Sequence, residues 1–357
     1  MQSLQRAYQA LIPESVRAAF YRALPGVVKS RVDNLGQQPD ERPLTASALS
    51  LPRAPITPAR FSRRVNKLAA ESDWYGEEWL SFFDALGEPH FRQQKHRKVW
   101  EWAQGAYALE QLGLLHEDAA GLGVGAGKES ILFYLANRTR LIVASDIYGE
   151  GVFANGEASA SMLADPRQYA RIPYPRDHLQ VMYMDGRSLD FPDDNFDFTF
   201  SFSSIEHFGG HEASAQAVSE MARVTRPGGA IVMATEIILN GIPDDEFFLP
   251  EEVEQYLIPS GTRPIEEIDY TMSDKTFKNA VDSADPDFHR QLPHLVIKRD
   301  PIYFTSISLV LEKKGGSGLA AVTRDSFSSP KPAVRQPPGA SSRGRPGWPP
   351  APAASGG

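Results

Sequence analysis

The sequence contains no cysteine, which excludes disulfides, thiolate metal sites and cysteine nucleophiles and fits a reducing compartment. It has no apolar run approaching the ~18 residues that a membrane-spanning helix requires. Its start lacks the basic residues, apolar stretch and cleavage site of a secretory signal, so the sequence points to a cytoplasmic protein. A surplus of positive charge is also missing. The 357 residues carry 37 Lys and Arg against 45 Asp and Glu, a formal net charge of −8, which argues against a general nucleic-acid partner. No internal repeat is present. What is there is an ordinary composition, 41% hydrophobic and 23% charged, long enough to bury a substantial core.

The chain is organised around residues 117–149, EDAAGLGVGAGKESILFYLANRTRLIVASDIYG. Ala119 to Val124 is small and apolar and predicts a buried parallel strand. Gly121, Gly123, Gly125 and Gly127 recur at every second position, where a backbone turns and a ligand approaches. Lys128 to Arg138 predicts a helix with Ile131, Leu132, Leu135 and Ala136 on one face. Its N-terminus directs free N–H groups into the turn. Leu141 to Ala144 is a second strand. Asp146 follows at its exposed C-terminal edge, where a carboxylate can accept both hydroxyls of an adenosine ribose; Ile147 is its neighbour.

A P-loop reading fails, because Leu122 stands at the required glycine and Glu129 at the hydroxyl position. Gly121, Gly123 and Ala126 satisfy GxGxxG, so the glycines alone leave a dinucleotide open. Downstream lie further strands, at Val181 to Met184, Phe196 to Ser201 and Ala230 to Thr235, and a helix at His211 to Val224, in a region that contains MDGRSLDFPDDNFDFTFSFSSIEHF (184–208) and EMARVTRPGGAIVMATE (220–236). A helix at Pro250 to Leu257 and strands at Ile265 to Tyr270 and Phe304 to Leu311 complete the pattern.

Over residues 115–240, and more loosely to 312, these segments resemble the class I S-adenosylmethionine-dependent methyltransferases. The shared features are the GxGxG turn (Gly123, Gly125, Gly127), Asp185 after the third strand, Asp194 to Asp197 before the fourth, and the turn Arg226 to Gly229 before the fifth. The resemblance implies an α/β fold, a Rossmann-like seven-stranded, mostly parallel sheet with an antiparallel last strand and helices on both faces. It implies S-adenosylmethionine as cofactor, with Gly121, Gly123, Gly125, Gly127, Asp146, Ile147, Asp185, Gly186, Ser201 and Ser203 as cofactor-binding residues. Asp185 would meet the adenine amino group. Many members carry an acidic residue where this chain has Gly121. His207 is the general-base candidate, because its ordinary pKa lies near neutrality, and Glu206 accompanies it. No His/Asp/Glu cluster with ligand spacing suggests a metal. A non-catalytic module on the same fold, binding the cofactor or a partner, stays open beside the enzyme.

Four regions are expected: an amphipathic helical start (1–32), a proline-rich linker (33–72), the main domain with aromatic N-terminal helices (73–314), and a Gly/Pro/Ser/Ala tail (315–357) read as disordered. Residues 1–32, with Leu4, Tyr8, Leu11 and Ile12 and then Val16, Ala19, Phe20 and Ala23, read as a packed hairpin or as a helix lying on the inner membrane face. The segment ALIPESVRAAFYRALPG (10–26) is similar to segments associated with bacterial envelope-polysaccharide clusters, which implies a glycan or lipid-linked acceptor; a small molecule is the other expectation. The basic run from His90 to Lys98 reads as a solvated face or a site for an anionic acceptor. Tyr148, the excursion 150–178, the aromatic helices and the insertion 271–300 are expected to wall the acceptor site.

Overall fold

Ten strands form one sheet. In chain order they are β1 (Lys67–Leu68), β2 (Ala120–Val124), β3 (Leu141–Asp146), β4 (Leu179–Tyr183), β5 (Phe196–Phe202), β6 (Thr225–Ile238), β7 (Thr262–Pro264), β8 (Val281–Asp282), β9 (Ile297–Arg299) and β10 (Ile302–Lys313). The main helices are α1 (Glu77–Ala85), α2 (Arg97–Gln111), α3 (Ser130–Ala136), α4 (His211–Val224) and α5 (Pro250–Leu257). This computed structural model describes residues 53–54 and 61–315; the expected helices of 1–32, most of the linker and the tail from 316 lie outside the described residues.

The sheet runs β8-β9-β10-β6-β5-β2-β3-β4. All pairings from β6 to β4 are parallel, and β10 is antiparallel to β6 along nine residue pairs. The fold is therefore Rossmann-like, with the expected antiparallel last strand. The strand count differs from seven because the outer edge of β10 is shared and β8 adds a further short strand beyond β9. Ile302–Phe304 pairs with β9, Ile307–Ser308 with β1, and Leu311–Lys313 with β7. Three short strands thus stand in place of one long one, and they cover an edge that would otherwise present unpaired backbone groups.

Alternation along β6 divides the core. Ala230, Val232 and Ala234 face a cluster built with Trp79, Trp100, Phe133 and Leu135 of α1 to α3. Ile231 and Met233 face Val218 and Met221 of α4 and Val253 and Leu257 of α5. Helices therefore pack on both faces, as the period of two in a sheet buried on both sides dictates. Most aromatic residues of α1 and α2 are core, not acceptor wall: Trp79, Phe83, Trp100 and Tyr107 are fully buried.

Two boundaries differ from the sequence reading. Residues 61–72 were expected in the linker, yet Val65 to Ala69 is buried and includes β1. Asn66 is the reason. Its side-chain amide donates to the Glu266 carbonyl (3.0 Å) and its oxygen accepts from the Val310 N–H (2.6 Å). Lys67 is neutralised by Asp73. The same wedge explains why Ile265 to Tyr270 is not a strand: side chains of Asn66 and Glu266 take the places of ladder partners.

The alternating glycines also have a different cause than expected. On β5, Phe198 and Phe200 lie against Gly121 and Gly123 of β2, and Phe202 against Gly105 of α2. A Cβ would sit 2.4 Å from Phe198 Cε2 at Gly121, 2.8 Å from Phe200 Cζ at Gly123 and 2.3 Å from Phe202 Cζ at Gly105. Gly121 and Gly123 therefore make room for a phenylalanine row and are not among the residues that line the cleft described below. Gly121→Ala is expected to destabilise by about 1–3 kcal/mol through overpacking, read as a lower urea midpoint with an unchanged slope. Nucleoside affinity of the folded variant is expected to stay at the wild-type value; a specific loss of affinity would return Gly121 to the site.

Candidate active site

The strand order reverses between β2 and β5: the chain moves outward through β3 and β4, then crosses back to β5 and β6. Open α/β sheets bind ligands outside the strand C-termini at such a switch point. A cleft lies there, lined by Gly125, Asp146, Ile147, Met184, Asp185, Gly186, Arg187, His207 and Phe208. Six of the expected site residues, Gly125, Asp146, Ile147, Asp185, Gly186 and His207, come together along it.

The turn from β2 to α3 has φ +62° at Gly125 and +51° at Gly127, a region that other residues rarely occupy. Asp146 holds this turn. Its Oδ2 accepts the Gly127 N–H at 2.9 Å and its Oδ1 the Ile147 N–H at 2.7 Å. Burial pushes the Asp146 carboxyl above its ordinary range, against the pull of those two bonds. The carboxylate is thus a structural clasp as well as a candidate ligand, not a free group on an exposed edge. Tyr148 supports the same turn by donating to the Gly127 carbonyl (2.8 Å) and is buried, which removes it from the acceptor wall.

Opposite, Asp185 is gripped by Arg187, whose Nε lies 3.0 and 3.1 Å from its two oxygens and whose other nitrogen is 2.6 Å from Oδ2. The guanidinium hydrogen bonds, working against partial burial, hold the Asp185 carboxyl below its ordinary range. Arg187 also donates to the Phe208 carbonyl at 3.3 Å. Gly186 permits a close approach: a Cβ there would lie 2.5 Å from Val124 Cγ1 and 2.7 Å from Phe208 Cε2. Arg187 and Phe208 were not legible as site residues, because each acts through contacts across the cleft.

The loop after β5 carries Ser203 at φ +46°, a conformation that costs free energy in a non-glycine residue. Ser203 does not face the cleft. Its hydroxyl donates to Glu101 (2.7 Å) and Glu236 (3.1 Å), within a buried cluster that also holds Arg97, Lys98, Glu129, Glu206 and Ser306. Arg97 contacts Glu101 (3.1 Å) and Glu236. Lys98 contacts Glu129 (2.7 Å) and the Phe202 carbonyl (2.6 Å). Arg97 and Lys98, the end of the basic run, are therefore internal counter-charge, whereas Arg92 stays at the surface between Glu77 and Asp84.

Glu206 lies in the same cluster, bound by the Thr235 hydroxyl at 2.8 Å. Burial, and then the charge of Glu236, pushes its carboxyl well up. Ser201 is buried inside β5. Gly121, Gly123, Gly127, Ser201, Ser203 and Glu206 are thus absent from the cleft lining.

Comparison with known proteins agrees with this geometry. Residues 122–233, from the strand before the glycine turn to the middle of β6, match the family described as Methyltransferase domain. The matched stretch supports a class I methyltransferase domain in this part of the chain. The family's methyl donor is S-adenosylmethionine. A curated relative, Methyltransferase GfsG of Streptomyces halstedii, is 30% identical over 168 residues, 46% of this chain and 55% of that protein. The chain thus spans about half the length of this relative. Similar solved structures include the (4+2)-cyclase SpnF, at 16% identity and TM-score 0.42 over 74% of this chain and 99% of that chain. Another is an S-adenosylmethionine-dependent methyltransferase from Aquifex aeolicus, at 17% identity and TM-score 0.36 over 65% and 97% of the two chains.

Two features of the cleft are compatible with such a donor. Gly125 lets the turn lie directly against the loop after β5, since a Cβ there would come within 2.6 Å of Ser204, and the bare backbone forms part of the cleft lining. Each Asp146 oxygen accepts one backbone N–H and has a further lone pair for a ribose hydroxyl. Among the described residues, no group of three or more His, Asp or Glu is placed to hold a metal ion, and no helix is long and apolar enough to cross a membrane.

Proposed function

We propose that the chain transfers a methyl group from S-adenosylmethionine to a nucleophile that carries a proton, with the His207 imidazole as the proton acceptor. The observation that supports this reading is the position of His207 on the same cleft as Gly125, Asp146 and Asp185. Bound S-adenosylmethionine supplies a methyl carbon made electrophilic by its sulfonium. The residues of the chain then have two tasks. Asp146, Gly125 and Gly186 hold and orient the donor, and alignment of this kind contributes much of the rate in such transfers. His207 takes the proton from the acceptor as the acceptor's electron pair bonds to the methyl carbon and the sulfur keeps the pair of the broken bond.

The glycan or lipid-linked acceptor is the finer reading; it is carried by residues 1–32, outside the described residues. A module that binds the donor without turnover is the second reading, favoured by Gly121 in place of an acidic residue. Calorimetry with S-adenosylmethionine, followed by detection of S-adenosylhomocysteine in the presence of hydroxyl- and amine-bearing candidates, separates the two. Binding with turnover supports the enzyme, and binding without turnover across the candidates supports the module. No binding at millimolar donor would overturn both.

A further inference from the structure

His207 sits at the end of a short 3-10 turn, Ile205–His207, after β5. Its Nδ1 lies 2.8 Å from Glu246 Oε1. Its Nε2 lies 3.7 Å from Glu206 Oε1, too far for a hydrogen bond. The Phe153 ring packs on the imidazole, with centroids 5.0 Å apart. Glu246 is held from behind: its Oε2 accepts from Arg299 at 3.0 Å, and Arg299 also grips Asp244 at 3.0 and 3.2 Å. The Arg299 guanidinium lies over the Phe247 ring, 4.3 Å from its centre. Burial works to raise the Glu246 carboxyl, but the bonds and charges of His207 and Arg299 outweigh it and hold the group below its ordinary range.

A carboxylate can only accept, so the nitrogen facing Glu246 carries the hydrogen. We propose that Glu246 is a positioning residue that fixes His207 as the Nδ1–H tautomer, leaving the Nε2 lone pair as the proton acceptor, and that Arg299 keeps Glu246 aimed. This rests on the reading of His207 as the base. It draws the insertion 271–300 into the chemistry through Arg299, which no local sequence pattern signals.

The test is the protonation pattern of His207 in full-length protein with isotope-labelled histidine nitrogens. It is recorded by long-range proton–nitrogen spectra above the histidine titration range, with the signal assigned from His207→Gln. The expected wild-type pattern is a protonated Nδ1 and a bare Nε2. Glu246→Leu is expected to abolish that fixed pattern, giving a mixture or the opposite tautomer. Glu246→Gln is expected to retain it, because the amide oxygen still accepts. Arg299→Met is expected to weaken it. Thermal melts establish that each variant is folded, and should Glu246→Leu not fold, the wild-type and Arg299→Met spectra decide. A wild-type Nε2–H tautomer, or an unchanged pattern in Glu246→Leu, would overturn the proposal without reference to any acceptor. Full turnover in His207→Gln would instead overturn the base reading, whatever the tautomer.

Discussion

Replacing Arg97 by methionine is expected to cost the fold about 3–5 kcal/mol, the range for removing one partner of a buried ion pair. Arg97 is the counter-charge for Glu101 and Glu236, whose side chains are 0% and 1% exposed, while its own is 19% exposed. Its terminal nitrogen also lies 3.3 Å from the hydroxyls of both Ser203 and Ser306. Methionine fills much of the volume and supplies none of this. Lys98, 3.4 Å from Glu101, is committed to Glu129. Since domains are stable by only about 5–15 kcal/mol, the loss would be a large share of the total.

The loss should also depend on pH. Burial acts to raise the Glu236 carboxyl, but the charge of Arg97 and a bond from Glu206 outweigh it and hold the group below its ordinary range. A carboxyl lowered on folding contributes stability that is present above its unfolded pKa and is lost as pH falls through the folded value. In Arg97→Met that contribution vanishes. The gap between variant and wild type should therefore be full at neutral pH and narrow on acidification. Urea unfolding at a series of pH values measures it. A deficit below about 1 kcal/mol at neutral pH, the scale of a surface pair, would mean that water enters the cluster and the burial argument fails.

Asp146→Ala is expected to weaken S-adenosylmethionine by roughly ten- to a hundred-fold, with about 1.4 kcal/mol for each factor of ten and charge-assisted hydrogen bonds contributing about 1.5–3 kcal/mol. Two effects act together. The ribose hydroxyls lose their acceptor, and the Gly127 and Ile147 N–H groups lose theirs, so the glycine turn is no longer clasped. The melting temperature should fall as well, contrary to what an exposed carboxylate would give. Asp146→Asn serves as comparison: one oxygen can still accept from one N–H, so binding should fall less. Calorimetry with S-adenosylhomocysteine reads both variants. Wild-type affinity in a folded Asp146→Ala protein would show that the ribose is not placed there.

Much of the frame was legible because its signals are local. His211–Val224 and Pro250–Leu257 form helices at the ends their spacing and proline punctuation predict, and Asp146 stands at the end of a short apolar run. What was not legible depends on partners far away in sequence. The glycines at 121 and 123 look like a ligand turn until Phe198 and Phe200 are placed on them, 77 residues downstream in each case. Arg97 and Lys98 look solvated because Glu236 is 139 residues from Arg97. Glu246 and Arg299 belong to segments with no helical or strand period around them, and only the folded chain brings them to His207. A polar residue such as Asn66 reads as linker, since nothing near it announces the two backbones it joins.

The shared outer edge of β10 has a consequence for the life of the chain before it is complete. Asn66 and its partner Val310 are 244 residues apart, and at about 5–20 residues per second of synthesis the second is made roughly ten to fifty seconds after the first. β1 waits through that interval without its partner, and β6, the longest strand, and β7 stay open on that side from their own synthesis until β10 follows. An open strand edge is a template for other chains. Translation that stops before Ile302 would therefore yield a product with its glycine turn and cleft residues all present and its sheet unsealed, prone to aggregate before it could bind anything.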